Sequence, residues 1–92
     1  MDSVITERDV KIVNPLGMHA RPAALFVKLA TTFISEIEVG NASMMVNGKS
    51  IMGVMMLAAE QGSTIKIRAT GSDSSQAVEA LADLVGKGFG ES

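Results

Sequence analysis

The apolar residues of this chain change period at Pro22, and that switch restricts it to a mixed fold. Upstream, Val4, Val10 and Ile12 share one parity while Glu7, Asp9 and Lys11 take the other, which predicts a strand centred on Val10–Val13. Asn14-Pro15 and Gly17 break it. Downstream, Leu25, Phe26, Leu29, Ala30 and Phe33 fall on one face of a helix. Pro22 suits its first turn, where a missing N–H leaves no intrahelical bond unmade.

The same switch recurs twice. Glu36-Ile37-Glu38-Val39 alternates, Gly40-Asn41 turns, and Met44-Met45-Val46 returns as a short strand before a second turn signal at Asn47-Gly48. Ser50 is placed to N-cap a short helix from Ile51 to about Ala59, stopped by Gln61-Gly62. Ile65, Ile67 and Ala69 alternate with Lys66 and Arg68 in a fourth strand. After Thr70-Gly71, Asp73 can cap a last helix with Gln76 in the reciprocal capping-box position. Ala77, Val78, Leu81, Leu84 and Val85 form that helix's apolar stripe, and Gly86, Gly88 and Gly90 predict a frayed end. The order is β-α-β-β-α-β-α. It predicts an α+β open-faced β-sandwich, a four-stranded antiparallel sheet covered on one face by helices, with residues 1–92 as one domain. The short link at Gly40-Asn41 makes strands two and three a hairpin. The helical crossover leaves room for another strand between strands one and two.

Composition narrows the function classes. The 92 residues include 47% apolar side chains but only three Phe and no Tyr or Trp, so the core is aliphatic. Absence of cysteine removes disulfide frameworks and thiolate metal sites. A net charge of −2, with both signs interspersed, argues against nucleic acid as a partner. No apolar run is long enough to span a bilayer, so no membrane insertion is expected. The Met1-Asp2-Ser3 start shows no secretory pattern, and a cytoplasmic protein is expected.

The candidate chemistry centres on Gly17-Met18-His19-Ala20-Arg21-Pro22-Ala23, which holds the sole histidine. His19 precedes a helix start, where unpaired N–H groups and the helix dipole favour anions. Arg21 offers several donors to phosphate oxygens. Gly17, Ala20, Ala23 and Ala24 are small and leave the backbone accessible. Imidazole titrates near neutrality and forms covalent intermediates, so His19 in this setting suits a transferable phosphoryl group. The competing reading of each residue is plain: a solvated loop histidine, and a surface arginine with no partner.

Other templates fail. No Gly-x-Ser-x-Gly elbow supports a triad. One histidine without cysteine, and carboxylates without ligand-type spacing, give no metal site. Gly48-Lys49-Ser50 resembles the end of a P-loop, but Ser43 stands where the template needs glycine. Five of the seven methionines lie between Met44 and Met56. They suit core packing, and where exposed they suit a surface that meets several partners.

Asn14-Pro15-Leu16-Gly17-Met18-His19-Ala20-Arg21-Pro22-Ala23 resembles the active-site signature of the HPr family, histidine-containing phosphocarriers of the bacterial phosphoenolpyruvate-dependent phosphotransferase system. Lys49-Ser50-Ile51-Met52-Gly53-Val54-Met55-Met56-Leu57 resembles that family's second signature, around a regulatory serine. The predicted element order matches as well. The resemblance implies that His19 accepts a phosphoryl group on Nδ1 from enzyme I and passes it to a IIA-type domain, with Arg21 contacting the phosphate. It implies Ser50 as the target of an HPr kinase/phosphorylase, and Met18, Ile51, Met52 and Met55 as parts of the docking surface. Such a protein is a stoichiometric relay rather than an enzyme, needs no cofactor and is expected to be a monomer.

Two departures from the family pattern are Met18 in place of the commoner leucine, and Ala58-Ala59 in place of a glycine-containing turn. A nitrogen-branch regulatory phosphocarrier is the near alternative. A docking-only module, with the Ser50 patch as its working surface and His19 incidental, is the alternative from another class.

Overall fold

The computed structural model describes residues 4–91; Met1-Asp2-Ser3, read above for targeting, lies outside the described residues. Seven elements follow in the expected order: β1 (Ile5–Lys11), α1 (Ala20–Ala30), β2 (Glu36–Gly40), β3 (Met45–Asn47), α2 (Ile51–Met56), β4 (Thr64–Thr70) and α3 (Ser74–Gly86). The sheet order is β1-β4-β2-β3, antiparallel throughout, so β4 occupies the gap that the α1 crossover leaves between β1 and β2. Ile37 and Val39 of β2 and Ile65, Ile67 and Ala69 of β4 point into an aliphatic core shared with α1 and α3.

The opposite sheet face is polar. Arg68 stands directly across from both Glu7 and Glu38 and bridges their carboxylates. The Arg68 guanidinium holds the Glu7 carboxyl below the usual carboxylate range. These groups are well exposed, so their contribution to stability is small.

Several boundaries differ from the sequence expectation. β1 lies earlier than the segment centred on Val10–Val13, because β4 begins only at Thr64, after the turn at Gly62. Beyond Lys11 the pairing turns irregular: the Ile12 N–H donates to the Ser63 carbonyl at 2.8 Å, and the Gly62 N–H to the Ile12 carbonyl at 2.7 Å. The buried stripe of α1 is Ala23, Phe26, Val27 and Ala30, joined by Pro22. Leu25, expected inside, is exposed, and Leu29 and Phe33 are half-buried. The smaller Ala23 and Val27 turn that face towards the core, and Leu25 is left for the surface near Arg21.

α2 is shorter than expected, ending at Met56 with Leu57 as C-cap and Ala58 in the left-handed region at φ 48°. That conformation terminates helices, and glycine normally supplies it because a Cβ is strained there. Ala58→Gly should therefore raise stability by about 0.5–1 kcal/mol, read as an increase of roughly 3–6 °C in Tm.

Asp73 does not cap α3 with its side chain. Its carboxylate instead accepts hydrogen bonds from the Ile34 N–H (2.9 Å), the Ser35 N–H (3.0 Å) and the Ser35 hydroxyl. These donors, the Ser35 hydroxyl foremost, lower its pKa. The capping-box expectation fails because the nearby loop between α1 and β2 offers three donors to the same carboxylate.

The expected fray at Gly86, Gly88 and Gly90 is not found. Gly88–Gly90 form a 3₁₀ turn with Phe89 buried, and the Glu91 N–H bonds back to the Gly88 carbonyl at 2.9 Å.

Candidate phosphorylation site

The loop between β1 and α1 is fixed before His19 is reached. The Gly17 N–H donates to the Asn14 carbonyl, and the Met18 N–H donates to the Ala59 carbonyl at 2.9 Å, tying this loop to the exit of α2. Gly17 has φ 66°, and a Cβ there would lie 2.3 Å from the Ala59 carbonyl oxygen. Only glycine permits this approach.

Met18, expected on the docking surface, is 4% exposed and belongs to the core. It precedes the N-cap, and Ala23, four positions into α1, belongs to the same core. Residues so spaced staple the chain entry to the helix, which turns the Met18 side chain inward. The docking expectation for Met18 is therefore corrected.

His19 is the N-cap of α1 but makes no side-chain capping bond, so its ring is free to face outward. The ring is 35% exposed. The N–H groups of Ala20 and Arg21 lack intrahelical acceptors because they lie in the first turn, and Pro22 has no N–H. Arg21 is exposed and makes no ion pair among the described residues. An anion placed beside the ring would meet two backbone donors, the positive end of an eleven-residue helix and a guanidinium.

The sequence reading missed the other half of the site. Glu91 returns to His19: its carboxylate oxygens lie 3.1 and 3.3 Å from His19 Nε2. A carboxylate accepts, so in this pair Nε2 carries the hydrogen, and the tautomer this selects presents its lone pair at Nδ1. Asn14, 1% exposed, orients the carboxylate, its Nδ2 donating to Glu91 Oε1 at 3.0 Å and to the Gly17 carbonyl at 2.8 Å. Two acceptors on one side fix which way the amide points. Pro15, Leu16, Leu25 and Phe89 complete a shallow hollow between Arg21 and Glu91. The available signal was Gly88-Phe89-Gly90-Glu91, an apolar residue between two glycines and followed by an acid.

α2 runs nearby. Ser50 caps it as expected, its Oγ accepting from the Gly53 N–H at 3.1 Å. Ile51, Met52 and Met55 are exposed as expected, and Met56 joins them.

Residues 6–87 match the family model described as the PTS HPr component phosphorylation site. The chain belongs to the HPr family. It is 45% identical over 85 residues to the phosphocarrier protein HPr of Cupriavidus necator, covering 92% of this chain and 96% of that one. The crystal structure of an HPr from Thermoanaerobacter tengcongensis superposes with a TM-score of 0.90 at 47% identity, covering 95% of this chain and 98% of that chain. The HPr of Bacillus anthracis gives 0.84 at 44% identity, with 88% and 96% covered. The open-faced α+β fold is thus that of HPr, and the chain is a phosphocarrier of the phosphotransferase system. Glu91 lies beyond the segment the HPr family model matches. Among the described residues no helix is long and apolar enough to cross a membrane.

Proposed function

We propose that His19 is the phosphorylated residue, receiving its phosphoryl group from enzyme I and delivering it to a IIA domain. The observation that carries this reading is the pairing of His19 Nε2 with Glu91, which leaves Nδ1 as the lone-pair nitrogen of a histidine at the N-cap of α1, next in the chain to the free amides of Ala20 and Arg21. In the transfer, Nδ1 attacks phosphorus in line, the N–P bond forms, and the bond to the donor's phosphorylated group breaks. The phosphate oxygens are received by the Ala20 and Arg21 amides and the Arg21 guanidinium. The phosphorylated ring keeps its Nε2 hydrogen on Glu91. The acceptor then attacks the same phosphorus and the N–P bond breaks, regenerating His19. The contacts are few and partly exposed, which suits a group that must be passed on.

Incubation with enzyme I and phosphoenolpyruvate should give an acid-labile label that His19→Ala abolishes. His19→Ala removes the hydrogen bond to Glu91 but no capping bond, so the variant should lose no more than about 1.5 kcal/mol of stability and stay folded. A label surviving in His19→Ala overturns the reading.

Ser50 is the second modification site of this proposal, the target of an HPr kinase/phosphorylase. Phosphate at the start of α2 would set negative charge beside the exposed Ile51, Met52 and Met55, weakening the docking of an acidic partner. ATP-dependent, acid-stable labelling should vanish in Ser50→Ala.

A further inference from the structure

We propose that the exposed face of α2 is an oxidation-sensitive docking site, on which hydroperoxides convert Met52, Met55 and Met56 to sulfoxides. The three thioethers sit at i, i+3 and i+4 and so line one side of the helix, while Val54 on the other side is fully buried in the core. Met52 is 75% exposed, Met56 65% and Met55 42%, whereas Met18 beside the phosphorylation loop is 4% exposed. The fold thus shields one methionine near the site and presents three others to water.

The step balances with the peroxide alone. A sulfur lone pair attacks the distal peroxide oxygen, the O–O bond breaks, an S–O bond forms, and water or an alcohol leaves. Sulfur is oxidised by two electrons and the peroxide is reduced by two. The product is a polar, chiral sulfoxide in place of a flexible apolar side chain. Docking would then have to desolvate three polar oxygens that a partner shaped for thioethers does not pair. α1 is untouched, so the chemistry at His19 is intact while access to it is impaired. This inference rests on the relay proposed above and takes the exposed face of α2 as the surface that meets the phosphoryl donor.

Limited hydrogen peroxide treatment followed by peptide mass spectrometry should show one added oxygen on each of Met52, Met56 and Met55, with Met18 at least about tenfold slower to react. Equal reaction at Met18 overturns the assignment. The rate of His19 labelling by enzyme I and phosphoenolpyruvate should then fall about five- to tenfold relative to the untreated protein. It should recover on treatment with methionine sulfoxide reductases. The Met52→Leu, Met55→Leu, Met56→Leu triple variant should give a treated-to-untreated ratio near one, each protein being compared with its own untreated sample. Failure of the untreated parent to label overturns the relay itself. Labelling of the parent at the same rate before and after oxidation, or a loss that persists in the triple variant, overturns this inference alone.

Discussion

Gly17→Ala should destabilise the protein by about 3 kcal/mol, through a backbone position rather than a lost contact. At φ 66° an L side chain is strained, and its Cβ would stand 2.3 Å from the Ala59 carbonyl oxygen and 3.0 Å from the Glu60 Cα. Neither obstacle is the end of a flexible side chain. The same carbonyl accepts the Met18 N–H at 2.9 Å, so relieving the clash pulls apart a backbone hydrogen bond that holds the β1–α1 loop to the exit of α2. The effect should reach function as well as stability. Displacing Met18 from the core shifts His19, the next residue, relative to both Glu91 and the docking helix. Urea unfolding of Gly17→Ala gives the stability loss. Phosphorylation kinetics at a denaturant-free temperature where the variant is fully folded give the loss at the site. An unfolding midpoint equal to that of the parent would show that the loop accommodates a Cβ and that this glycine is dispensable.

Local signals in the sequence survived folding, and signals that depended on a distant partner did not. Ser50 caps α2 because an N-cap hydroxyl reaches an amide three residues away, a geometry written into Ser50-Ile51-Met52-Gly53. β4 was legible because Ile65, Ile67 and Ala69 alternate strictly against Lys66 and Arg68, and a strand between two others must bury one face. The α1 crossover left room for a strand between β1 and β2, and the structure puts β4 there. Asp73 satisfied a capping-box pattern equally local in kind, yet the donors of Ile34 and Ser35, nearly forty residues away in sequence, took its carboxylate. At the candidate site, His19 and Arg21 were legible from a helix start. Asn14 and Glu91 were not, because their contact spans 77 residues and no periodicity encodes it. The family resemblance put Met18 on the docking surface, but its side chain is buried. Its burial follows from where α1 enters the core, which depends on which face of the helix turns inward.

Phe89→Ala should cost about 3 kcal/mol and also slow phosphoryl acceptance, an outcome that separates it from an ordinary core truncation. Phe89 is 5% exposed and joins the core from a tail that would otherwise have little to hold it. It sits at φ 58° between Gly88 and Gly90, both also at positive φ, so the chain spends backbone strain to turn its ring inward. Glu91 follows two residues later and reaches His19 only while that turn is held. Without the ring, the tail loses its anchor and the carboxylate leaves Nε2. Glu91→Ala isolates the second effect: it removes the carboxylate from Nε2 and leaves Phe89 in place. A charge-assisted hydrogen bond of this kind is worth roughly 1.5 kcal/mol, or about tenfold in rate where the charge develops during transfer. Glu91→Ala should therefore label about tenfold more slowly with Tm lowered only by the loss of the carboxylate's hydrogen bonds, and Phe89→Ala should show the same kinetic loss together with a larger fall in Tm. Equal labelling rates in Glu91→Ala and the parent would mean that the carboxylate rests against His19 without setting its reactive nitrogen. The role of the tail would then be to close the core alone.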